Sequence, residues 1–327
     1  MRIAQRSLVA VLALGFASVS LAVVSPAQAA PSRAGAAAAA APCRGDSTAR
    51  TGENRSVPHW RKNADTAQVS QSDLEALPAS QTRPKFVART VSPRLADIVN
   101  IPVYVHAITG RHKGERKKVS RDRIRNLIAI LNNAMAGRQS SLSVPTRYRF
   151  SVVRVDRRRK ESWYKAFFNG PRDQKMKRRL HRGDAHALNL YLNGGGPRDD
   201  SVLGWSRFPW QYATTPRLDS VSLNVASLPG GRARGYNLGD TLVHETGHWL
   251  GLFHTFEGGC DEPGDMVADT AAEGEPSFYC PTTRDSCTAP GLDPVRNFMD
   301  YSLDSCMNMF TAGQVRRMDS AFEKWRL

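Results

Sequence analysis

One eleven-residue stretch, His244-Glu245-Thr246-Gly247-His248-Trp249-Leu250-Gly251-Leu252-Phe253-His254, restricts this chain more than any other feature. Positions i and i+4 of a helix share one face, so the imidazoles of His244 and His248 reach a common ion. Glu245 is rotated only about 100° from His244 around the axis, near enough to act on a water at that ion. Gly251 permits the left-handed backbone that ends a helix. His254 then returns as a third nitrogen ligand and leaves one tetrahedral position open, the pattern of a catalytic rather than a structural zinc site. Glu273 and Glu275 are the acids available to a plan in which a second helix supplies the third ligand. They sit among Gly274 and Pro276 in a loop-like segment, and His254 makes them unnecessary.

The two ends of the 327-residue chain differ in kind. Arg2 and Arg6, the apolar run 7–24 and the small-x-small triplet Ala27-Gln28-Ala29 read as a secretory signal peptide over 1–29. The run is short, broken by Gly15 and Ser18, and leads into Pro26, which argues against a retained anchor. No later stretch is long and apolar enough to span a bilayer, so a secreted, soluble, monomeric product is expected. Residues 30–99 carry an alanine tract, polar residues and scattered prolines, the composition of a pro-segment or linker. The catalytic domain is expected over 100–327. In an oxidising compartment Cys260, Cys280, Cys287 and Cys306 form an even, clustered set that allows three pairings, while Cys43 is left over far upstream.

The formal net charge of +16 makes the distribution of charge informative. Basic residues crowd between Arg147 and Arg182, densest at Arg157-Arg158-Arg159-Lys160 and Lys175-Met176-Lys177-Arg178-Arg179, and acidic residues gather from Glu257 to Glu275. The basic stretch reads as a solubilising face or as an electrostatic contact with anionic surfaces. No zinc-finger or aromatic RNP-like pattern accompanies it, so no specific nucleic-acid partner is expected.

Local patterns place these residues on elements. Ile101-Pro102-Val103-Tyr104-Val105-His106-Ala107-Ile108 has the content of a strand with its proline near the start. Ser120 caps a helix whose Ile124, Leu127, Ile128 and Leu131 recur at i, i+3, i+4 and i+7. Tyr148 to Val155, Leu188 to Leu192 and Val221 to Val225 read as strands, with either Val152 or Val153 facing inward in the first. A strongly apolar helix starts at Asp240 or Thr241, and Thr311 with Gln314 forms a capping box for the last helix. The order implies a layered α+β or α/β domain.

The signature HETGHWLGLFHTF resembles that of the metzincins and, within them, the pappalysin family (peptidase family M43, cytophagalysin/ulilysin-like). The resemblance continues from Ile101 to Met318 through IPVYVHAI, ILNNAMAG, LGWSRFP, SLPGG and NFMDYSLDSCMNMFTAGQVRRM. It implies an α+β metzincin-type domain, with a mixed twisted sheet, an active-site helix and a loop-rich C-terminal subdomain. It implies a zinc metalloendopeptidase that hydrolyses peptide bonds in a protein or peptide substrate through a zinc-bound water activated by Glu245. By the same resemblance Met299 forms the turn beneath the metal, Tyr301 stabilises the tetrahedral intermediate, and the cysteines pair Cys260 with Cys287 and Cys280 with Cys306. Asp265, Asp269 and Thr270 fall where some relatives bind calcium, a solvated acidic loop being the other reading. Pro42-Cys43-Arg44-Gly45 is a loose match to the leader cysteine switch that keeps related proenzymes off, an idle thiol being the other reading of Cys43. Asp304, just past the turn, is a candidate for selecting a basic side chain next to the cleavage point, or else a surface carboxylate. Gly204-Trp205-Ser206 is a candidate edge strand for the substrate backbone. The competing reading is a non-catalytic polyanion-binding or cell-surface-binding module with structural zinc.

Overall fold

β1 (Val99–Thr109) alternates Ile101, Val103, Val105 and Ala107 on one face with Tyr104, His106 and Ile108 on the other, and both faces are covered. This computed structural model describes residues 98–327, apart from 113, 168, 196–201 and 262. The expected signal peptide, the expected pro-segment up to residue 97 and Cys43 lie outside the described residues. β1 is internal to a five-stranded sheet of order β2-β1-β3-β5-β4, comprising also β2 (Tyr148–Arg159), β3 (Leu188–Asn193), β4 (Gly204–Ser206) and β5 (Val221–Asn224). All pairs are parallel except β4 with β5, which is antiparallel. Pro102 is tolerated in an internal strand because β3 joins β1 only from Val103 onward, so its missing N–H interrupts no ladder there.

The register of β2 resolves the ambiguity at Val152 and Val153. A bulge opposite Val103/Tyr104 leaves Val153 without a partner on β1, and the two valines are 37% and 53% exposed on the sheet edge. Neither is a core residue. β2 also runs further than its apolar pattern suggests, through Arg157, Arg158 and Arg159.

One face of the sheet packs on α2 (Arg121–Met135), for which the Ser120 hydroxyl accepts from the Arg123 N–H at 3.2 Å. Ile124, Leu127, Ile128, Leu131 and Met135 are buried there, worth roughly 10 kcal/mol of gross hydrophobic stabilisation. α5 (Asp240–Trp249) and α6 (Ala312–Trp325) share this core through Leu242, Val243, Trp249, Met318 and Phe322. The opposite face packs Ile108 and Tyr191 against Trp163, Met176 and Leu180, carried by the short α3 (Glu161–Tyr164) and by α4 (Pro171–Leu180). A third short helix, α1 (Glu115–Lys118), follows β1. In α4 the basic run is divided: Lys175, Arg178 and Arg179 face outward, while Lys177 is buried with its Nζ 3.0 Å from the Asp173 carboxylate.

Between His254 and Thr311 there is little regular structure, and two bridges hold the chain. Cys260 joins Cys287 and Cys280 joins Cys306, the pairing implied by the resemblance. Loops of this length lose about 3–4 kcal/mol of unfolded-state entropy per bridge.

His106 is fully buried between the layers. Its Nε2 donates to Asn189 Oδ1 at 3.0 Å, its ring stacks on Tyr191, and its Nδ1 lies 3.7 Å from Asp156. Burial pushes its pKa down from 6.5 to about 4, against the Asn189 hydrogen bond and the Asp156 charge, with Arg182 and His181 adding to the lowering. The unfolded chain therefore takes up a proton that the folded chain refuses. Stability is complete above pH 6.5 and declines as the pH falls toward 4, by about 3 kcal/mol at most. In His106→Gln, urea midpoints between pH 6.5 and 4 should fall less steeply than in the wild type. An unchanged pH slope would remove His106 as the cause.

Candidate active site

α5 begins at Gly239, whose left-handed φ of 116° turns the chain into the helix. The helix has no cap from its own first residues. Asp304 supplies one from a distance: its Oδ2 accepts the N–H groups of Leu238 at 2.7 Å and Gly239 at 3.1 Å. The helix stops at a Schellman turn, with Leu252 N–H donating to Gly247 O and Gly251 N–H to His248 O, both at 2.9 Å, and Gly251 at φ 101°. A β-carbon at Gly251 would also come within 2.7 Å of Ala321 on α6.

The turn does more than end the helix, because the Leu252 carbonyl accepts from His248 Nδ1 at 2.8 Å. The Phe298 carbonyl does the same for His244 Nδ1 at 2.6 Å. A carbonyl only accepts, so both Nδ1 atoms carry the proton and both Nε2 atoms present a lone pair. His248 Nε2 lies 3.1 Å from His244 Nε2 and 3.1 Å from His254 Nε2, and the three rings are buried. Ligands about 2.0–2.1 Å from a tetrahedral zinc ion are roughly 3.3 Å apart. Converging lone pairs at this spacing repel one another unless a cation lies between them, so this donor set fits zinc. It is the one such cluster among the described residues. Glu257 lies 3.7 Å from His254 Nδ1, and Phe256 stacks on the His254 ring at 4.6 Å.

Glu245 is fully buried beside this cluster and against β4. A β-carbon at Gly204 would stand 2.5 Å from Glu245 Oε1, so the edge strand needs a glycine there to leave room for the carboxylate. Beneath the cluster, Gly247 has no side chain because the Met299 sulfur occupies that space. Met299 is held by its own N–H donating to Asn297 Oδ1, and Asn297 exchanges two 2.9 Å hydrogen bonds with Gln314 on α6. The Tyr301 hydroxyl lies 3.3 Å from His254 Nε2, and the Tyr236 hydroxyl fixes the Tyr301 carbonyl at 3.2 Å. His244, Glu245, Tyr301 and Asp304 together line one pocket.

Asp304 is not a surface carboxylate. It is 4% exposed, and burial pushes its pKa up to about 6 against the backbone N–H groups it accepts. Its Oδ1 has no hydrogen-bond partner among the described residues. Of the candidate calcium residues Asp265 is buried, Thr270 half-buried and Asp269 exposed. Asp265 accepts from the Thr270 hydroxyl and the Val267 N–H, and Asp269 accepts from the Thr311 hydroxyl and the Gly313 N–H at the start of α6. Glu273, the alternative third ligand, is buried and accepts from Thr255, Ser277 and Arg284, so it steadies the residue after His254.

Two arginines of α6 and its end bind the other side of the zinc-helix turn, and no local sequence signal marks them. Arg317 Nε donates to Gly251 O at 2.8 Å. Arg326, 1% exposed, forms a two-pronged pair with Asp219 at 3.0 Å, donates to Trp249 O, and stacks 3.5 Å above the Trp249 ring. Trp249 Nε1 donates to the same Asp219. Asp219 and Arg326 are 107 residues apart, so only the fold reveals their pairing.

The chain is similar to known proteins. The family model Peptidase_M43, described as Pregnancy-associated plasma protein-A, matches residues 186–323. An extracellular metalloprotease of Coccidioides posadasii is 37% identical over 250 residues, covering 74% of this chain and 84% of that protein. One of Pyricularia oryzae is 39% identical over 230 residues, covering 70% and 76%. Among solved structures, Tannerella forsythia mature mirolysin in complex with a cleaved peptide superposes with a TM-score of 0.56 at 28% identity, covering 69% of this chain and 92% of that one. Promirolysin of the same organism gives 0.61 at 26%, covering 78% and 87%.

Removing the guanidinium in Arg326→Ala leaves the Asp219 carboxylate buried with its countercharge gone, a loss of about 3–5 kcal/mol. The urea midpoint should drop accordingly, and zinc should be lost to a competing chelator at lower chelator concentration. Arg326→Lys, which keeps the charge but not the fork, should restore only part of each. Zinc retention equal to wild type in both variants would show that this clamp does not reach the ligands.

Proposed function

The chain belongs to the pappalysin family of metalloproteases, Peptidase_M43, and from that premise we propose which residues of this secreted zinc endopeptidase perform each step. His244, His248 and His254 hold the ion through their Nε2 atoms. When bound, zinc supplies a Lewis acid for the scissile carbonyl and brings the pKa of water near 7. The Glu245 carboxylate takes the proton of the attacking water and returns it to the departing amine. The Tyr301 hydroxyl donates toward the carbonyl oxygen as negative charge develops there. Met299 provides a close-packed floor under the imidazoles. The extended substrate pairs with the outer edge of β4, which has only β5 as a neighbour among the described residues.

The convergence of three Nε2 lone pairs beside a buried carboxylate carries this reading. A structural zinc site is normally closed by a fourth protein ligand, and the cluster described here has three. The extracellular metalloproteases it resembles, together with its leader sequence, support secretion. No helix of the described residues is long and apolar enough to cross a membrane. We assign residues 1–29 to a signal peptide, the following residues to about 99 to a pro-segment, and Cys43 to an inhibitory thiolate over the ion.

Asp304 gives this site a preference. Its Oδ2 is committed to the helix start while its Oδ1 has no hydrogen-bond partner among the described residues, and Asp304 lines the pocket that also contains His244 and Glu245, so a basic side chain of the substrate has a buried carboxylate to meet.

Glu245→Gln should lower kcat at least a hundredfold in cleavage of an unstructured protein while still binding zinc. Retained activity would remove Glu245 from the chemistry. Asp304→Asn keeps an acceptor for Leu238 and Gly239 but not the charge. In a peptide library it should lose any preference for Lys or Arg beside the cut, and an unchanged cleavage profile would place selectivity elsewhere.

A further inference from the structure

Two adjoining concavities lie where β1 and β2 end. One is lined by Arg111, Arg159, Lys160, Lys165 and Arg172, with Glu161 as its only acid. The other is lined by Arg116, Arg157, Arg158 and Arg159 and contains no acid. Arg159 belongs to both, so they form one crest. Glu161 is spent locally, accepting from Lys165 Nζ and the Arg111 N–H, both at 2.8 Å. The side chains of Arg116, Arg158 and Arg172 are exposed and have no hydrogen bond or ion pair to any described residue.

The strand itself explains this concentration. Arg157 and Arg158 line the concavity beside Arg116, where the Arg157 guanidinium donates to Val119 O at 2.8 Å, and Arg159 lines both, donating to Arg111 O at 3.3 Å. Three consecutive arginines thus put cations into both concavities at one sheet edge. No carboxylate among the described residues pairs with them, Arg157 and Arg159 reaching only backbone carbonyls, and mutual repulsion there costs stability, as an unused charge cluster does. β2 is also the edge opposite β4, four strand spacings or about 19 Å away. A polymer held at the crest leaves the edge beside Glu245 open.

We propose that this crest is a docking surface for a linear, phosphate-rich polymer outside the cell, an exosite that tethers the secreted enzyme without entering its cleft. Guanidinium groups dominate the lining, and their planar forks match phosphate oxygens two at a time. Spread along a crest, they suit an anion that repeats along a flexible chain better than a single small one. Neither concavity is lined by an aromatic side chain, so there is no platform on which bases would stack. Large apolar anchors of the kind that dominate protein interfaces are likewise missing from the two linings.

The test uses the secreted protein with long-chain inorganic polyphosphate as the probe. Binding is measured by anisotropy across 50–200 mM salt, for the wild type, for a triple variant Arg116→Ser, Arg158→Ser and Arg172→Ser, and for a charge-matched control with Arg138→Ser, Arg234→Ser and Lys324→Ser. We expect the crest variant to bind at least tenfold more weakly, with a log K against log salt slope shallower by about 2, while the control keeps wild-type affinity. Cleavage of a short neutral peptide should be the same in wild type and crest variant, which separates this proposal from the assignment of catalytic roles. Equal losses in the two triple variants would overturn it in favour of diffuse net charge. So would absence of polyphosphate binding at 0.15 M salt, or tighter binding of single-stranded DNA than of polyphosphate of equal charge.

Discussion

Three imidazole nitrogens turned toward one another with their lone pairs exposed are an unfavourable arrangement until a cation lies among them, and most of the C-terminal half of this fold serves to enforce it. The protein fixes the tautomers first. Phe298 O and Leu252 O each bind an Nδ1–H, so the Nε2 atoms of His244 and His248 have no proton to turn inward. Both carbonyls belong to segments with other duties, the turn over Met299 and the Schellman turn after α5. Ligand orientation therefore depends on backbone that lies outside the helix carrying two of the ligands.

That dependence explains why α5 is tied at both ends by residues remote in sequence. At its start the Asp304 carboxylate accepts the N–H groups of Leu238 and Gly239, where the helix dipole favours a negative charge. At its end Arg317 and Arg326 meet carbonyls of Gly251 and Trp249, where the dipole favours a positive one. A ten-residue helix is marginal alone. Here it is held by charged groups of the appropriate sign and by a core in which none of its residues is exposed.

How much of this was legible in the sequence follows from how local each interaction is. The three histidines, Glu245 and Gly251 were readable because helical spacing and a left-handed turn are properties of neighbouring residues. The caps at Ser120 and Thr311 were readable for the same reason. Apolar content and alternation mark β1, β2, β3 and β5, but the pattern of β2 ends at Val155 because Arg157 to Arg159 hide a strand that lies on an exposed edge. α4 was missed since only Met176 and Leu180 give it an apolar face, and its buried Lys177 reads as one more surface cation. The burial of Asp304, the Asp219–Arg326 pair and the need for glycine at Gly204 have no local signature at all, because each is set by a partner more than forty residues away.

The same contrast separates the two kinds of charge in this molecule. Charges near the zinc helix are buried and answered: Asp219 by Arg326, Glu273 by Arg284, and Asp304 by backbone dipoles. Removing either member of such a pair strands the other in a low-dielectric interior, so these residues constrain one another strongly. Charges at the end of β2 are exposed and meet no carboxylate among the described residues, Arg157 and Arg159 reaching only the carbonyls of Val119 and Arg111. A positive edge on the side of the sheet away from the cleft is the feature for which a partner outside the chain is proposed. The catalytic half of the molecule can be understood from its internal contacts, whereas the basic crest is the surface for which a partner is proposed.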